Sequence, residues 1–307
     1  MRAVILAGSG ISSEPRHSNA GAPPPFLLPL LNRPLLWHQL RALTRAGVRQ
    51  VVIASQDQAL LAAAQPPEGM TVTHGSIPVG ELLLVLAPNA LPGSGLPEFA
   101  ASTGAGAVLA VKGPSCSPAG YCVVGPGSYQ PGDLAQVLAG GPAGAIPVEL
   151  RTVSNDSFLI STADDYFAAS RLLLADPPSG MATLDRGQGD TWLASASCIS
   201  PRARIVGTVL LGRACSIAEG TLIVGPTVLG DGTMVCRNAF VESSITLPGA
   251  AVGAHARVID SIVTECFTIG PGATFSHCVA DDRTGRRSFP CLRGSYAIET
   301  SPRGPSR

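Results

Sequence analysis

The stretch that decides the fold runs from Cys215 to Val241 and reads, in groups of six, CSIAEG, TLIVGP, TVLGDG, TMVCRN and AFV. Each group has an aliphatic residue in third place and a small residue two positions earlier. A period of six fits neither an α-helix, with about 3.6 residues per turn, nor an ordinary strand, with a period of about two. The frame extends both ways through Leu193, Ile199, Ile205, Leu211, Ile217, Ile223, Leu229, Val235, Val241 and Leu247, shortens by one residue to Val252 and Val258, and resumes at Ile269 and Phe275.

This repeat predicts a triangular solenoid in which each hexapeptide supplies one short strand and one corner. The aliphatic side chain points inward and stacks on its counterpart one coil away, while the small residue fits the tight turn. We therefore expect a left-handed parallel β-helix over residues 193–280. Because each coil buries its faces only against neighbours, such solenoids mostly serve packing and oligomerisation. The small positions are Ala203, Cys215, Thr221, Thr227, Thr233, Ala239, Ala250, Ala256 and Ala273.

The N-terminal half alternates strands with helices. Pro34 opens a helix that Gly47 ends, Ser55 is placed to cap a helix over Gln56–Ala64, and a further helix covers Ala163–Ala175. Strands that are apolar throughout indicate a mostly parallel sheet covered on both faces. We predict a Rossmann-like α/β domain over 1–175, a linker over 176–192, the β-helix over 193–280 and a tail over 281–307. The expected strands are Ala3–Ala7, Val51–Ala54, Leu82–Leu86, Ala107–Val111 and Tyr121–Val124.

Composition narrows the possible partners. The formal net charge is zero and only 14% of residues are charged, which argues against recognition of nucleic acid or an anionic membrane by overall charge. No apolar stretch approaches the ~20 residues of a membrane-spanning helix. The eight cysteines show no C-x-x-C pairing and are expected to be free thiols, so we expect a cytoplasmic protein. Lys112 is the only lysine.

The two halves together resemble a known family. The segments 1–8 (MRAVILAG), 28–36 (LPLLNRPLL) and 46–53 (AGVRQVVI) are similar to the opening of sugar-1-phosphate nucleotidyltransferases, the NDP-sugar pyrophosphorylases such as the mannose-1-phosphate guanylyltransferases. The segment 164–174 (DDYFAASRLLL) resembles the helix that leads to the β-helix in that family. Many members carry a left-handed β-helix after the nucleotide-binding domain, in this same order. The resemblance covers most of the chain, with gaps in the middle.

The resemblance implies attack of a sugar phosphate on the α-phosphorus of a nucleoside triphosphate, with Mg²⁺ and cations holding the phosphates. The glycine-rich loop that holds the triphosphate in the family corresponds here to Gly8, Ser9 and Gly10, which we take as the nucleotide-binding residues. Ser13 stands at the family's arginine position, with Glu14 beside it. Arg16 is the possible substitute cation.

Three further charged positions of the family are also replaced. Pro25 stands where the family has the lysine of a Pro-Lys-Pro motif, and Asn89 and Leu159 stand at the two metal-binding aspartates. An amide is a weaker Mg²⁺ ligand than a carboxylate. Asp156 is three residues out of register with the second aspartate. We therefore expect no functional metal site unless the enzyme is active, in which case Mg²⁺ is the expected cofactor.

The expected function is that of a nucleotidyltransferase-like protein with impaired catalysis, which has a binding, regulatory or scaffolding role in NDP-sugar or polysaccharide-precursor synthesis. Its expected partners are a nucleotide or sugar nucleotide, and either its own copies or an active paralogue, joined partly through residues 193–280. One alternative is a divergent but active nucleotidyltransferase. A second is an acyltransferase that uses His255 or His277 of the β-helix as a general base.

Overall fold

A computed structural model describes residues 1–6, 27–55, 65–101, 106–140, 147–176, 191–194 and 196–280, and the backbone of 184–186. The predicted helix Gln56–Ala64 lies outside the described residues. The chain divides into two compact units. The first contains Arg33–Ser161 together with the N-terminal strand, and the second contains Pro29–Asn32 and the chain from Thr162 onward.

The first unit is built on a seven-stranded sheet with the order β10-β8-β9-β6-β1-β4-β5. Its elements are β1 (Arg2–Leu6), β3 (Arg33–Pro34), α1 (Leu35–Arg45), β4 (Gln50–Ala54), β5 (Thr71–His74), β6 (Leu83–Leu86), β7 (Ala90–Leu91), α2 (Leu96–Ala100), β8 (Ala107–Lys112), β9 (Ser117–Val124), α3 (Pro131–Leu138), β10 (Val148–Thr152) and β11 (Phe158–Leu159). The two-residue strand β2 (Pro29–Leu30) belongs to the second unit.

The sheet is mixed. Strands β1, β4, β5, β6, β8 and β10 run in one direction, and β9 runs antiparallel to both of its neighbours, β6 and β8. Only the turn Gly113–Cys116 joins β8 to β9, and a connection this short can make a hairpin but not a parallel crossover. The predicted strand Tyr121–Val124 therefore exists but is the antiparallel member of the sheet.

Both faces of this sheet are covered, as its continuous apolar strands predicted. Leu36, Leu40 and Leu43 of α1 pack in the core on one face, which also contains Ile5 and Leu86. Leu134, Val137 and Leu138 of α3 pack in the core on the opposite face. Helix α1 begins directly after Pro34, and Gly47, with φ +77°, follows its end, in agreement with the sequence signals.

The second unit is a β-helix with three parallel sheets. Their orders are β12-β13-β16-β19-β22-β25-β28, β14-β17-β20-β23-β26 and β15-β18-β21-β24-β27, and all pairings after β13 are parallel. The strands are β12 (Leu184–Arg186), β13 (Thr191–Ala194), β14 (Cys198–Ile199), β15 (Arg204–Val206), β16 (Val209–Leu211), β17 (Ser216–Ile217), β18 (Leu222–Val224), β19 (Thr227–Leu229), β20 (Met234–Val235), β21 (Phe240–Glu242), β22 (Ile245–Thr246), β23 (Ala251–Val252), β24 (Arg257–Ile259), β25 (Ile262–Val263), β26 (Thr268–Ile269), β27 (Thr274–Ser276) and β28 (Val279–Ala280).

The inward-pointing residues of successive coils stack in columns, and these columns follow the predicted frame with one correction. Leu193, Leu211 and Leu229 stack in register, but the next member of this column is Thr246 and not Leu247. Leu211 and Leu229 are eighteen residues apart, but Leu229 and Thr246 are only seventeen apart. The coil is shorter because the next inward position after Val241, Thr246, lies five residues further along the chain and not six. This shorter spacing recurs in the next coil, so Val263 follows Thr246 and fills the gap that the frame leaves between Val258 and Ile269.

Two features complete the second unit. Strand β12 pairs antiparallel with β13, so the stretch whose composition indicated only a linker contributes a strand at the end of one sheet. Helix α4 (Ala163–Ala175) has the predicted bounds and begins with a capping box between Thr162 and Asp165. Its Arg171 forms an ion pair with Asp260 at 3.1 Å. No helix in the described part of the chain is long and apolar enough to cross a membrane.

Candidate functional site

The strand order of the first unit marks one edge of the sheet as the place for a ligand. From β1 the chain passes to β4 on one side, and later to β6 on the other. Ligands of open α/β sheets bind outside the carboxyl ends of the strands at such a reversal. The pairing of Ile5 with Leu86 places the carboxyl ends of β1 and β6 side by side.

Asn89 and Leu159 lie next to each other at this edge. The turn after β6 leads into β7, which pairs antiparallel with β11, with Leu159 opposite Ala90. The Asn89 carbonyl accepts a hydrogen bond from the Ile160 N–H at 2.9 Å, and the Asn89 Nδ2 donates to the Ile160 carbonyl at 3.0 Å. Two positions seventy residues apart in the sequence, chosen as the family's metal-binding positions, are therefore neighbours in space.

A buried glutamine holds the turn that carries Asn89. Gln39 of α1 is fully buried, and its Nε2 donates to the carbonyls of Ala87 at 3.0 Å and Ala90 at 2.8 Å. These bonds join the helix to both ends of the turn, whose Ala87 carbonyl also accepts from the Ala90 N–H at 3.1 Å. Sequence reasoning missed Gln39, because a single polar residue in an apolar helix face gives no indication of which turn it reaches.

The segment from Ser154 to Ser157 binds three consecutive backbone N–H groups. Gly93 N–H donates to Ser157 Oγ at 3.0 Å, Ser94 N–H to Asp156 Oδ2 at 2.6 Å, and Gly95 N–H to Ser154 Oγ at 3.3 Å. Asp156 is thus used to fasten the loop before α2. The approach is so close that a Cβ at position 93 would stand 2.1 Å from Asp156 Oδ1, which explains the glycine there.

The protonation of this segment follows from its contacts. Burial alone would raise the pKa of Asp156, but hydrogen bonds from Ser154 and Ser94 outweigh it and hold the pKa below its ordinary value. Asp156 is therefore a carboxylate at neutral pH. Burial, with the nearby Asp156 charge, raises the pKa of Tyr121 to about 12 against the opposing effect of its bond to Ser157, so the phenol stays neutral.

Lys112 ends β8 at the same edge of the sheet. Its Nζ donates to the Ser157 carbonyl at 2.6 Å and lies 4.5 Å from the centre of the Phe158 ring. The ring face and the carbonyl both favour the ammonium charge. The only lysine of the chain thus lies beside the segment that leads to Leu159. Its rarity was visible in the sequence, but its place at the site was not.

The described residues do not fit a Mg²⁺ site of the kind that the resemblance implies. Such a site needs oxygen ligands, usually carboxylates. Leu159 offers none, and its side chain packs against Gly120 in the sheet core. Asn89 offers one amide oxygen. Asp156 Oδ2 accepts from Ser94, so that its buried Oδ1 is the one carboxylate oxygen left over in this segment. Among the described residues, no three His, Cys, Asp or Glu side chains are gathered in a way that could hold a metal ion.

The remaining predicted site residues lie outside the described residues. These are Gly8, Ser9 and Gly10 of the nucleotide-binding loop, the replaced positions Ser13 and Pro25, and the candidate cation Arg16. The last described residue before them is Leu6, at the end of β1, which pairs with β6.

His255 and His277, the candidate bases of the acyltransferase alternative, occupy corners of the β-helix. Both have left-handed backbone conformations, with φ +60° and +51°, and both side chains are exposed or largely exposed. His277 Nδ1 lies 3.9 Å from Asp260 Oδ2. The seven described cysteines are all free thiols.

The comparisons with known proteins give two partial matches, and no family model matches the chain. The chain is 32% identical over 59 residues to a UTP–glucose-1-phosphate uridylyltransferase from Synechocystis, a match that covers 19% of this chain and 15% of the relative. It is 40% identical over 81 residues to a UDP-3-O-acylglucosamine N-acyltransferase from Caulobacter, covering 26% of this chain and 24% of the relative. The chain thus spans about a quarter or less of these relatives, and the matches fit a nucleotidyltransferase-like or acyltransferase-like protein.

Proposed function

We propose that this chain is a sugar-1-phosphate nucleotidyltransferase-like protein that binds a nucleotide or sugar nucleotide but has lost most or all of its chemical step. Its role is then regulatory or scaffolding, in the synthesis of NDP-sugars or polysaccharide precursors. The proposed partners are copies of itself or an active paralogue. The partial match to the uridylyltransferase and the predicted Gly8–Gly10 loop after β1 support the ligand class.

The observation that carries the proposal is the adjacency of Asn89 and Leu159, because Leu159 pairs with Ala90 and Asn89 forms hydrogen bonds with Ile160. The two positions adjoin at the strand-order reversal, where a nucleotidyltransferase needs a metal, and neither has a carboxylate. A phosphoryl-transfer site without its metal ligands loses the charge stabilisation on which this chemistry chiefly depends. In this proposal the sheet edge still binds a ligand without turning it over.

We further propose that the β-helix is left-handed, as in the family that the chain resembles. Its support is the hexapeptide frame with small residues before the inward aliphatics. In this proposal the β-helix is the scaffolding part of the protein, and the first unit is the ligand-binding part.

Calorimetric titration tests the binding. Nucleoside triphosphates and NDP-sugars are titrated into the protein with Mg²⁺ and, separately, with EDTA. We expect at least one compound to bind with an affinity that changes less than about threefold on removing Mg²⁺, since no carboxylate pair holds the ion. No binding by any compound would overturn the ligand-binding part of the proposal. An affinity that depends strongly on Mg²⁺ would favour the divergent active enzyme, with Asp156 and Arg16 as its substitutes.

The acyltransferase alternative rests on the match to the N-acyltransferase. It predicts acyl transfer, to an amino-sugar nucleotide, that is lost in His255→Ala or His277→Ala. Both histidines are exposed corner residues, which favours a structural reading over a general base in a substrate cleft. Release of free thiol from an acyl-thioester donor, dependent on either histidine, would favour the alternative.

A further inference from the structure

Strand β10 forms one edge of the seven-stranded sheet, where its side chains are less covered than those of the central strands. Within the described residues its strand neighbour is β8. The residues from Glu149 to Thr152 are all exposed, and Leu150 keeps 53% of its surface accessible. An exposed edge strand with an apolar side chain is a template for pairing with another strand unless the protein protects it.

The backbone groups available for such pairing follow from the ladder with β8. The Pro147 carbonyl accepts from Ala107 N–H, and the Val153 N–H donates to the Val111 carbonyl, both at 2.9 Å. Groups that face one neighbour alternate along a strand. The odd-numbered residues 147–153 therefore face β8, and the N–H and C=O groups of Val148, Leu150 and Thr152 point away from the sheet.

The side chains of β10 form a self-complementary pattern around Leu150. In an antiparallel pair of two β10 strands centred on Leu150, Glu149 of each copy stands opposite Arg151 of the other. Leu150 meets its own copy, and Val148 meets Thr152. Opposite charges and apolar pairs facing across strands stabilise a sheet. Glu149 and Arg151 lie on the same face, as their 3.5 Å ion pair within the strand shows.

The backbone agrees with this register. Leu150 opposite Leu150 and Val148 opposite Thr152 are pairs whose N–H and C=O groups point outward, so they exchange both hydrogen bonds. If the pair is centred on Glu149 or on Arg151, the outward N–H and C=O groups of the two strands can still form hydrogen bonds. However, Glu149 then faces Glu149, or Arg151 faces Arg151. Like charges directly opposite destabilise a pair. Of these three registers, the one with the most hydrogen bonds is also the one that matches opposite charges.

We propose that the protein forms a two-fold symmetric homodimer in which β10 pairs antiparallel with β10 of a second copy, centred on Leu150. A two-fold symmetric contact needs a surface that complements itself. Strand β10 complements itself both in its charges, Glu149 and Arg151, and in its outward-pointing backbone groups. The dimer joins the sheets of two first units. Its existence does not depend on whether the site binds nucleotide.

Charge reversal tests the contact. Glu149→Arg places two arginines of each copy opposite two of the other, and Arg151→Glu places glutamates opposite glutamates. By sedimentation velocity, each variant alone should have a dimer dissociation constant raised about tenfold or more, whereas Glu68→Arg, at an exposed turn, should not change it. An equimolar mixture of Glu149→Arg and Arg151→Glu should dimerise again, because each Arg then faces a Glu.

Cysteine substitution tests the register. Residues opposite each other in a hydrogen-bonded pair have Cα atoms about 5.5 Å apart, which a disulfide can span. Leu150→Cys should therefore cross-link to its own copy on mild oxidation, above the wild-type background. Glu149→Cys, which would face Arg151 of the other copy, should stay at that background.

A monomeric wild type at tens of micromolar would overturn the proposal. So would a dimer that both charge reversals leave intact, since it would be held elsewhere, for instance through the β-helix. Failure of the mixture to dimerise would overturn the charge register. None of these results bears on nucleotide binding, which the calorimetric titration measures separately.

Discussion

The two units differ in where their buried polar groups find hydrogen-bond partners. In the β-helix such groups find partners in the adjoining coil, as when Thr233 Oγ1 meets Thr246 Oγ1 at 3.0 Å, or Thr221 donates to the Cys236 carbonyl at 3.1 Å. In the first unit they converge from distant parts of the chain, since Lys112 and Gly93 both bond to Ser157. Because the coils repeat, neighbouring coils satisfy each other's polar groups, whereas at the edge of the sheet the polar groups come from distant parts of the chain.

The sharpest test of this difference is Ile217→Asp in the β-helix. Ile217 is stacked between Ile199 and Val235 and is 2% exposed, so an aspartate there would be an unpaired charge among aliphatic coils. We expect a loss of several kcal/mol in the free energy of unfolding. Urea denaturation measures this loss. Met234→Asp is the control, because Met234 lies next to the stacked Val235 in the same sheet but is 52% exposed. A stable Ile217→Asp protein would refute the inward column.

The next largest effect is expected for Gly93→Ala, at the edge of the sheet in the first unit. The new Cβ would overlap Asp156, including its backbone carbon at 2.8 Å, so the Ser154–Ser157 segment must move. Overpacking of this kind costs roughly 1–3 kcal/mol. Gly132→Ala in α3 meets nothing within 4 Å and should be neutral or slightly stabilising by thermal denaturation. Equal behaviour of the two variants would mean that the loop is not fastened as described.

A similar or smaller cost is expected for Asn89→Asp. The Asn89 amide donates to the Ile160 carbonyl, and a carboxylate there would set two acceptors against each other. We expect a loss of about 1–3 kcal/mol in unfolding free energy without Mg²⁺. Asn155→Asp, at an exposed position, is the matched control and should cost little. A stabilised Asn89→Asp protein would show that position 89 is poised for a charge.

The smallest effect is the pH dependence due to Asp156. Its pKa is depressed in the folded protein, so its contribution to stability is present above its unfolded pKa of about 4 and is lost as the pH falls through the folded value. Asp156→Asn should therefore be less stable than wild type at neutral pH. The difference between the two proteins in denaturation midpoint should shrink below about pH 4. A constant difference would mean that Asp156 has an ordinary pKa.

The sequence predicted the β-helix better than the sheet, because the contacts of the β-helix join residues only about one coil apart whereas those of the sheet join distant segments. The six-residue frame identified the inward columns, and only Leu247 was misplaced, since Thr246 looks polar in sequence although it bonds to Thr233 inside the coil. The antiparallel direction of β9 depends on a short turn and on distant pairing. At the site, Asn89 and Leu159 are adjacent, and their assignment as the family's metal-binding positions stays a prediction. Gln39 and Lys112 were missed because their contacts join residues 45 or more positions apart.

The most direct test of the account is release of pyrophosphate by the purified protein. A panel of nucleoside triphosphates and sugar-1-phosphates is assayed with Mg²⁺, using the unmodified chain, Asn89→Asp, Leu159→Asp, and a variant that adds Ser13→Arg and Pro25→Lys to both. Each missing group typically costs about 10²–10³ in rate, so we expect no release above background from the unmodified chain or either single variant. Turnover by the unmodified chain that disappears in Arg16→Ala or Asp156→Asn would contradict the account, because relocated groups would then perform the chemistry.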